Sequence, residues 1–472
     1  MLNRNKCSNF AARMKQDSNN QKTLELGTRP VGRLLVEYAL PAIIAMTASS
    51  LYNMVDSIFI GQCVGALAIS GLAVTFPFMN LSAAFGAAVG VGASSYISVK
   101  LGQKDYAKAL RVFGNTVTLN VIIGILFSTI SLLLLDPILY FFGASDQTIS
   151  YAREYMIIIL LGNVITHLYF GMNAVLRSAS KPRAAMFIII FTVVLNTLLD
   201  PLFIYTFDLG IAGAAYATIL AQLLAFLWQL KLFSDKREIL HLHRGIYKPS
   251  LRIIRNIFAI GMSPFFMNAC ACIIVIFINK NLLTYGGDLA VGAYGIANRV
   301  AFIFVMVTMG VNQGMQPIAG YNYGAQKFDR LLRVLKLAMI SATCVTTSGF
   351  LVAELCPRLC VSLFTDDVQL TSLSINGLRI LMAAMPIVGY QMVITNFFQS
   401  IGMAKISIVL SLSRQLLLLL PLLILLPPYF GIDGVWMSMP VSDTLSALLA
   451  FVVMSRYMKK FTMLHQQLNV LS

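Results

Sequence analysis

The chain is written in long apolar runs separated by short polar stretches, and no run alternates polar with apolar positions as a half-buried strand would. Twelve runs stand out, at about 34–60, 67–97, 112–136, 152–176, 183–206, 211–233, 252–283, 290–321, 333–356, 373–400, 405–428 and 432–455. Each reaches the roughly 20 residues that a helix needs to cross hydrocarbon. Several exceed that length, so tilted, bent or protruding helices are expected. A membrane β-barrel is excluded, because its strands read as alternating segments of about ten residues. The pattern predicts an all-α polytopic membrane protein with 12 transmembrane helices.

The polar connections carry charge in alternation. Basic residues fill the N-tail (Arg4, Lys6, Arg13, Lys15, Lys22, Arg29, Arg33) and the second–third connection (Lys100, Lys104, Lys108, Arg111). They recur after the fourth span (Arg177, Lys181, Arg183), between the sixth and seventh (Lys231 to Arg255), and after the eighth (Lys327 to Lys336). Lys405 and then Arg456, Lys459 and Lys460 complete that side. The other connections hold Asp136, Asp146, Asp208, Asp288, Asp366, Asp367 and Asp433. The positive-inside rule then places both termini in the cytoplasm.

The chain also repeats itself. Gly65-Ala66-Leu67-Ala68 returns 222 positions later as Gly287-Asp288-Leu289-Ala290, and Gly92, Gly102 and Arg111-Val112 fall on Gly314, Gly324 and Arg333-Val334. Gly210-Ile211-Ala212-Gly213 returns as Gly431-Ile432-Asp433-Gly434. Each half holds six spans, an even number, so the halves are parallel repeats, an arrangement used by transporters that rock two lobes about a central cavity. The expected organisation is a basic tail at 1–33, an N-lobe at 34–233 (spans 1–6), a cytoplasmic linker at 234–250, a C-lobe at 251–456 (spans 7–12) and a cytoplasmic C-tail at 457–472.

Composition sharpens this. Of 472 residues, 58% are hydrophobic and 11% charged, against about 25% charged in a soluble domain; mean hydropathy is +0.78. A net charge of +16 invites a nucleic-acid partner, but the cations are spread over every second connection and form no folded basic face, so none is expected. The seven cysteines make no CxxC pair and have no histidine at ligand spacing, so no metal site is expected. Residues 1–33 lack an apolar core, which argues against a cleaved signal peptide.

Chemistry concentrates on two acids inside apolar runs. Asp200 ends the uncharged stretch from Ala184 to Leu199, with Asn196 on the same helical face four residues earlier and Pro201 following. Asp56 lies in the run from Ile43 to Ile60 with Asn53 at i−3. A carboxylate in hydrocarbon costs roughly 2.5–3.5 kcal/mol or more. Low dielectric favours its neutral form, so such an acid can take up a proton on one side and release it on the other. With amide and hydroxyl oxygens beside it, the same group can hold Na⁺, and the sequence does not choose. The bland alternative for both acids is a solvated helix end.

In order along the chain, Leu40-Pro41 with Val55-Asp56-Ser57-Ile58-Phe59-Ile60-Gly61, then Gly71-Leu72-Ala73-Val74-Thr75-Phe76-Pro77, then Leu176-Arg177-Ser178-Ala179-Ser180-Lys181-Pro182, Asn196-Thr197-Leu198-Leu199-Asp200-Pro201 and Gly210-Ile211-Ala212-Gly213-Ala214-Ala215 form a collective motif. Together they resemble the multidrug and toxic compound extrusion (MATE) family, in particular its bacterial MepA-like, DNA-damage-inducible branch. The resemblance covers essentially everything after residue 30. It implies an N-lobe cation or proton site on Asp56, Asn196 and Asp200, with Thr218 as neighbour, and Pro41 as the hinge whose span bends when Asp56 changes protonation. Relatives of the NorM branch carry a further acid in the seventh span, whereas Met262 to Asn279 has only Asn268 and Asn279; coupling is therefore expected in the N-lobe.

Other features carry two readings each. Asp443 and Arg414, with Arg299 and Arg379, either line the C-lobe side of a cavity or pair to hold the lobe together. His167 is a packing residue or a proton relay. Asn53, Met46, Met54, Met172 and Met267 are candidates for a polarisable substrate cavity, or are simply packing. Glycines between Ala83 and Ser95 predict close helix contact. No Walker motif, Ser-His-Asp set or HExxH appears, so neither an enzyme nor a resident cofactor is expected.

The expectation is a secondary active multidrug efflux transporter, a monomer in the bacterial inner membrane, exchanging H⁺ or Na⁺ for small amphipathic, often cationic compounds. The alternative of similar architecture is a flippase for a lipid-linked saccharide, which would need a cationic cavity that the first six spans do not supply.

Overall fold

The computed structural model describes the backbone of residues 24–63, 66–365 and 367–471, and the side chains of residues 24–50, 71–72, 74–365 and 367–467. Within hydrocarbon every backbone N–H and C=O needs an internal partner, and the helix supplies one within each segment. Each of the twelve apolar runs accordingly falls on helix. The first six spans are Val31–Cys63, Ala66–Gly102, Tyr106–Leu133, Ile149–Ser178, Pro182–Pro201 and Gly210–Phe233. The seventh and eighth share Leu251–Gly324, broken at Gly287, whose φ of 69° combined with ψ of −170° is a backbone region held essentially by glycine alone. The ninth is Phe328–Leu355. The tenth joins Val368–Met382 to Met385–Ser400 through a 48° bend. Pro386 explains the bend, since it cannot donate to the carbonyl of Met382 one turn earlier. The eleventh runs from Ala404 through a π-helical stretch, Ser413–Leu419, to Leu425, and the twelfth lies in Pro427–Leu471, broken at Gly431.

The repeat noticed in the letters is a repeat of turns. Lys104 and Gln326 both take left-handed backbone (φ 59° and 58°), as do Ser180 and Gly402 (61° and 80°), each pair 222 positions apart. The residue after each closes the helix by a long-range bond: Asp105 N to Lys100 O and Lys327 N to Asn322 O, Lys181 N to Leu176 O and Met403 N to Phe398 O. These are Schellman endings, which satisfy carbonyls that a helix C-terminus leaves open.

The chain forms two compact units. Among the described residues, one comprises 24–30 and Thr47–Phe265; the other comprises Val31–Met46 and the chain from Phe266 onward. The division thus cuts the first span at 46 and the seventh at 265, not the polar connection at 234–250. That connection is held in the first unit: Asn115 of the third span donates to Lys248 O at 3.2 Å and accepts from Ser250 N at 2.8 Å, and Ile246 O packs directly on Gly114.

Small residues set the closeness of the helices, as expected for Ala83 to Ser95. Gly90 lies against Gly171 and Ala174, Gly86 against His167, and Gly92 against the backbone of Ile257 and Gly261. A side chain on Gly261 would overlap the carbonyl of Ala88. Both partners in that last contact are backbone and neither can swing away. Gly261→Val is therefore expected to cost about 3 kcal/mol or more. The check is the yield of monodisperse protein in detergent, expected to fall several-fold, with a lower melting temperature in what remains. In the second unit, Trp436 fills the space over Gly377 beside Tyr294, and Gly314 and Gly310 seat the backbone of Ala39 and Ile43.

Candidate cation site

The fifth span sorts its residues by face. Phe187, Phe191, Val194 and Leu198 are exposed at helical spacing, while Ala185, Ile188, Asn196 and Asp200 are buried. The two polar side chains thus point away from lipid into the first unit. Asp200 is 0% and Asn196 1% exposed. Asn196 Nδ2 donates to Asp200 Oδ1 at 3.2 Å and to Thr218 Oγ1, on the sixth span, at 3.4 Å. One amide thus bridges a carboxylate and a hydroxyl, and its own Oδ1 has no hydrogen-bond partner among the described residues. Buried polar atoms are rarely left so. The contacts run through the amide nitrogen; a buried carboxylate and a hydroxyl joined in this way, with an amide oxygen that keeps its acceptor capacity, supply the oxygen donors that a hard monovalent cation, or a proton with water, would use.

Pro201 closes the α-helical part of the fifth span. The backbone past it widens into a π turn, Leu202–Thr206, a feature concentrated at functional sites. Gly213 then lets the sixth span approach Phe203 so closely that no Cβ fits. That contact fixes the height of Thr218, one turn and a fraction further along.

A small cavity of about 50 Å³ opens beside this set, bordered by Ser49, Thr192, Asn196, Thr218 and Gln222. One water needs roughly 10–15 Å³ by the same kind of measure, so it is roomy enough for solvent. Thr166 of the fourth span donates to Gln222 Oε1 at 2.5 Å. Thr166, Thr192 and Gln222 were not anticipated. The spacing held a clue, since Thr192 lies four residues before Asn196 and Gln222 four after Thr218.

The side chains of Asn53, Met54 and Asp56 lie outside the described residues. Pro41 is buried within Val31–Cys63, which runs helical across it. Met172 is buried in the fourth span, Met267 is half-buried in the seventh, and the Met46 sulfur accepts from Gln313 Nε2 at 3.2 Å. His167 Nε2 lies 3.1 Å from Ser82 O, and Ser82 Oγ donates to Asn163 Oδ1 at 2.8 Å; the histidine is buried and hydrogen-bonded. In the second unit Arg414 Nε donates to Asp443 Oδ1 at 2.7 Å, so the pairing alternative holds for those two. Arg379 reaches the half-buried Glu354 at 3.5 Å.

The model of the MatE family matches residues 41–202 and 259–425. The chain belongs to the MatE family. Asp56, Asn196 and Asp200 lie within the first matched segment, and Thr218 lies beyond it. The multidrug export protein MepA of Staphylococcus haemolyticus (strain JCSC1435) is 28% identical over 424 residues, 90% of this chain and 93% of that protein. MepA of Staphylococcus aureus (strain N315) is 27% identical over the same shares. A crystal structure of a MATE in the straight conformation matches with TM-score 0.87 at 25% identity, covering 93% of this chain and 98% of that one. A bent conformation matches with TM-score 0.87 at 24% identity, covering 94% and 98%. The chain is a multi-pass membrane protein of this family, with the family's fold over nearly its whole length.

Proposed function

We propose that the chain is a secondary active multidrug efflux transporter that exchanges H⁺ or Na⁺ for small amphipathic, often cationic compounds. The observation that carries this reading is the fully buried Asp200 bridged by Asn196 to Thr218, in a family whose relatives at 27–28% identity are named multidrug export proteins. Either ligand neutralises the carboxylate, and the neutral and charged forms favour different conformations of the helices around it. If substrate binds best to the conformation that the ion disfavours, the two cannot ride together and exchange is obligatory.

The second half of the chain supports coupling through the first. At the repeat offset of 222, Asp200 falls on Leu422, Asn196 on Leu418 and Asp56 on Ile278. The protein acts as a monomer in the bacterial inner membrane, termini inside, with no resident cofactor; the basic connections support this orientation. The test uses purified protein in liposomes loaded with a fluorescent cation. Imposed ΔpH alone, or a Na⁺ gradient alone, is expected to drive its movement. No movement under either gradient, from protein that is folded and inserted, would remove the proposal.

A further inference from the structure

A groove of about 670 Å³ lies between the start of the fifth span and the end of the sixth, away from the cation site. Its walls are apolar and outward-facing: Phe191, Leu224 and Trp228 are each between a third and two-fifths exposed, and the Phe191 and Trp228 rings meet edge-on at 5.4 Å. Its rim is charged. Lys231 stands one turn after Trp228, at the end of the sixth span, Lys181 immediately precedes the fifth, and Asp235 and Glu238 come from the connection that follows. An aromatic wall one turn below a ring of charge, at the ends of two spans, is the layout of the membrane–water interface. Basic pockets between spans hold anionic lipid headgroups; this rim carries both signs of charge.

The rim charges select the headgroup. Two cations and two carboxylates leave the rim neutral, so it does not simply attract anions. Lys181 is already paired with Glu238 at 2.8 Å. Lys231 makes no ion pair among the described residues and is available to a phosphate. Asp235 uses Oδ1 to accept from the backbone N–H of Arg237 at 3.1 Å, and a carboxylate has further acceptor capacity for a second donor. A headgroup that carries a phosphate and, two carbons away, an ammonium with N–H donors satisfies both. We infer that this groove binds a phospholipid with a primary-amine headgroup, of the phosphatidylethanolamine class, with phosphate at Lys231, ammonium at the Asp235–Glu238 side and an acyl chain along Phe191, Leu224 and Trp228. A choline headgroup lacks the N–H donors, and a glycerol headgroup lacks the cation and meets two acids.

The test is native mass spectrometry of the purified full-length chain, titrated with ethanolamine, glycerol and choline phospholipids of identical acyl chains. The ethanolamine lipid is expected to be retained about fivefold better than either of the others. Lys231→Ala lowers retention of all three, and Asp235→Asn removes the preference for ethanolamine while keeping an oxygen that accepts from Arg237 N. A brominated ethanolamine lipid quenches the fluorescence of Trp228, one of two tryptophans, more than its choline counterpart does, and Trp228→Phe abolishes the difference. Equal retention of ethanolamine and choline lipids, a preference for glycerol, or an Asp235→Asn variant that retains the wild-type order would each overturn the inference. Transport plays no part in these readouts, so failure of the efflux assay leaves them unaffected.

Discussion

Asp200→Asn is expected to reduce gradient-driven efflux at least tenfold while the protein still folds and inserts. The side chain is fully buried and its Oδ1 accepts from Asn196 Nδ2 at 3.2 Å. An amide of the same shape keeps an oxygen in that place, so the contact survives. What disappears is the charge, and with it the ability to bind and release a proton or hold Na⁺. A neutral group is also cheaper to bury than a carboxylate, so melting temperature should stay level or rise. Loss of transport from a protein of undiminished stability separates a coupling role from a structural one. Thr218→Val, which removes one hydroxyl at the edge of the set, should give a smaller loss. Vesicles containing the Asp200→Asn protein that still move substrate at the wild-type rate, with wild-type dependence on the imposed ion gradient, would refute the assignment.

The fold was legible where one physical demand dominates. Hydrocarbon forces helices, and helices of this length declare themselves as apolar runs, so all twelve spans could be located from the letters. The orientation of Asn196 with Asp200 was legible for a similar reason, since four residues is one turn and any helix places them together. The helix ends were harder. Lys104, Ser180 and Gln326 hold left-handed backbone that ordinarily calls for glycine, and their own side chains give no sign of it; the recurrence at a fixed offset is visible in the backbone. The cut in the first span was invisible, because the division at Met46 is set by contacts of Ala39 and Ile43 with Gly314 and Gly310, hundreds of residues away. Thr166 and Gln222 illustrate a further limit. A single polar residue in an apolar helix reads alike whether it faces a partner or its own backbone, and only the position of the neighbouring helix decides. Thr218 entered through family resemblance alone, and the structure brings it to Asn196.

The same offset exposes a contrast between the halves. Arg414 of the eleventh span corresponds to Thr192 of the fifth, and, at the offset of 221 that relates Gly210 to Gly431, Asp443 corresponds to Gln222. In the first unit these positions border a small cavity beside the acid. In the second they hold a guanidinium and a carboxylate 2.7 Å apart, the side chains 29% and 15% exposed. The π-helical turn from Ser413 to Leu419 alters the local bonding, and Ser442 Oγ donates to Arg414 O at 2.8 Å, which ties the twelfth span to that turn. A cation built into the chain thus stands where the first half leaves space.

Arg414→Ala is accordingly expected to be strongly destabilising, by about 3–5 kcal/mol before allowance for partial exposure, because it strands Asp443 in an apolar setting. Removing both charges should behave differently. An ion pair in such surroundings gives back little beyond its own desolvation, so Arg414→Leu with Asp443→Leu replaces a self-compensating pair by apolar side chains of similar bulk and should recover most of the loss. Thermal melting in detergent reads the ordering directly: wild type and the double variant close together, both single variants well below. If coupling resides at Asp200, the double variant should also retain its response to the ion gradient. Single variants as stable as the wild type would mean that the pair is solvated and idle. A double variant that is folded yet no longer coupled would move part of the mechanism into the second unit.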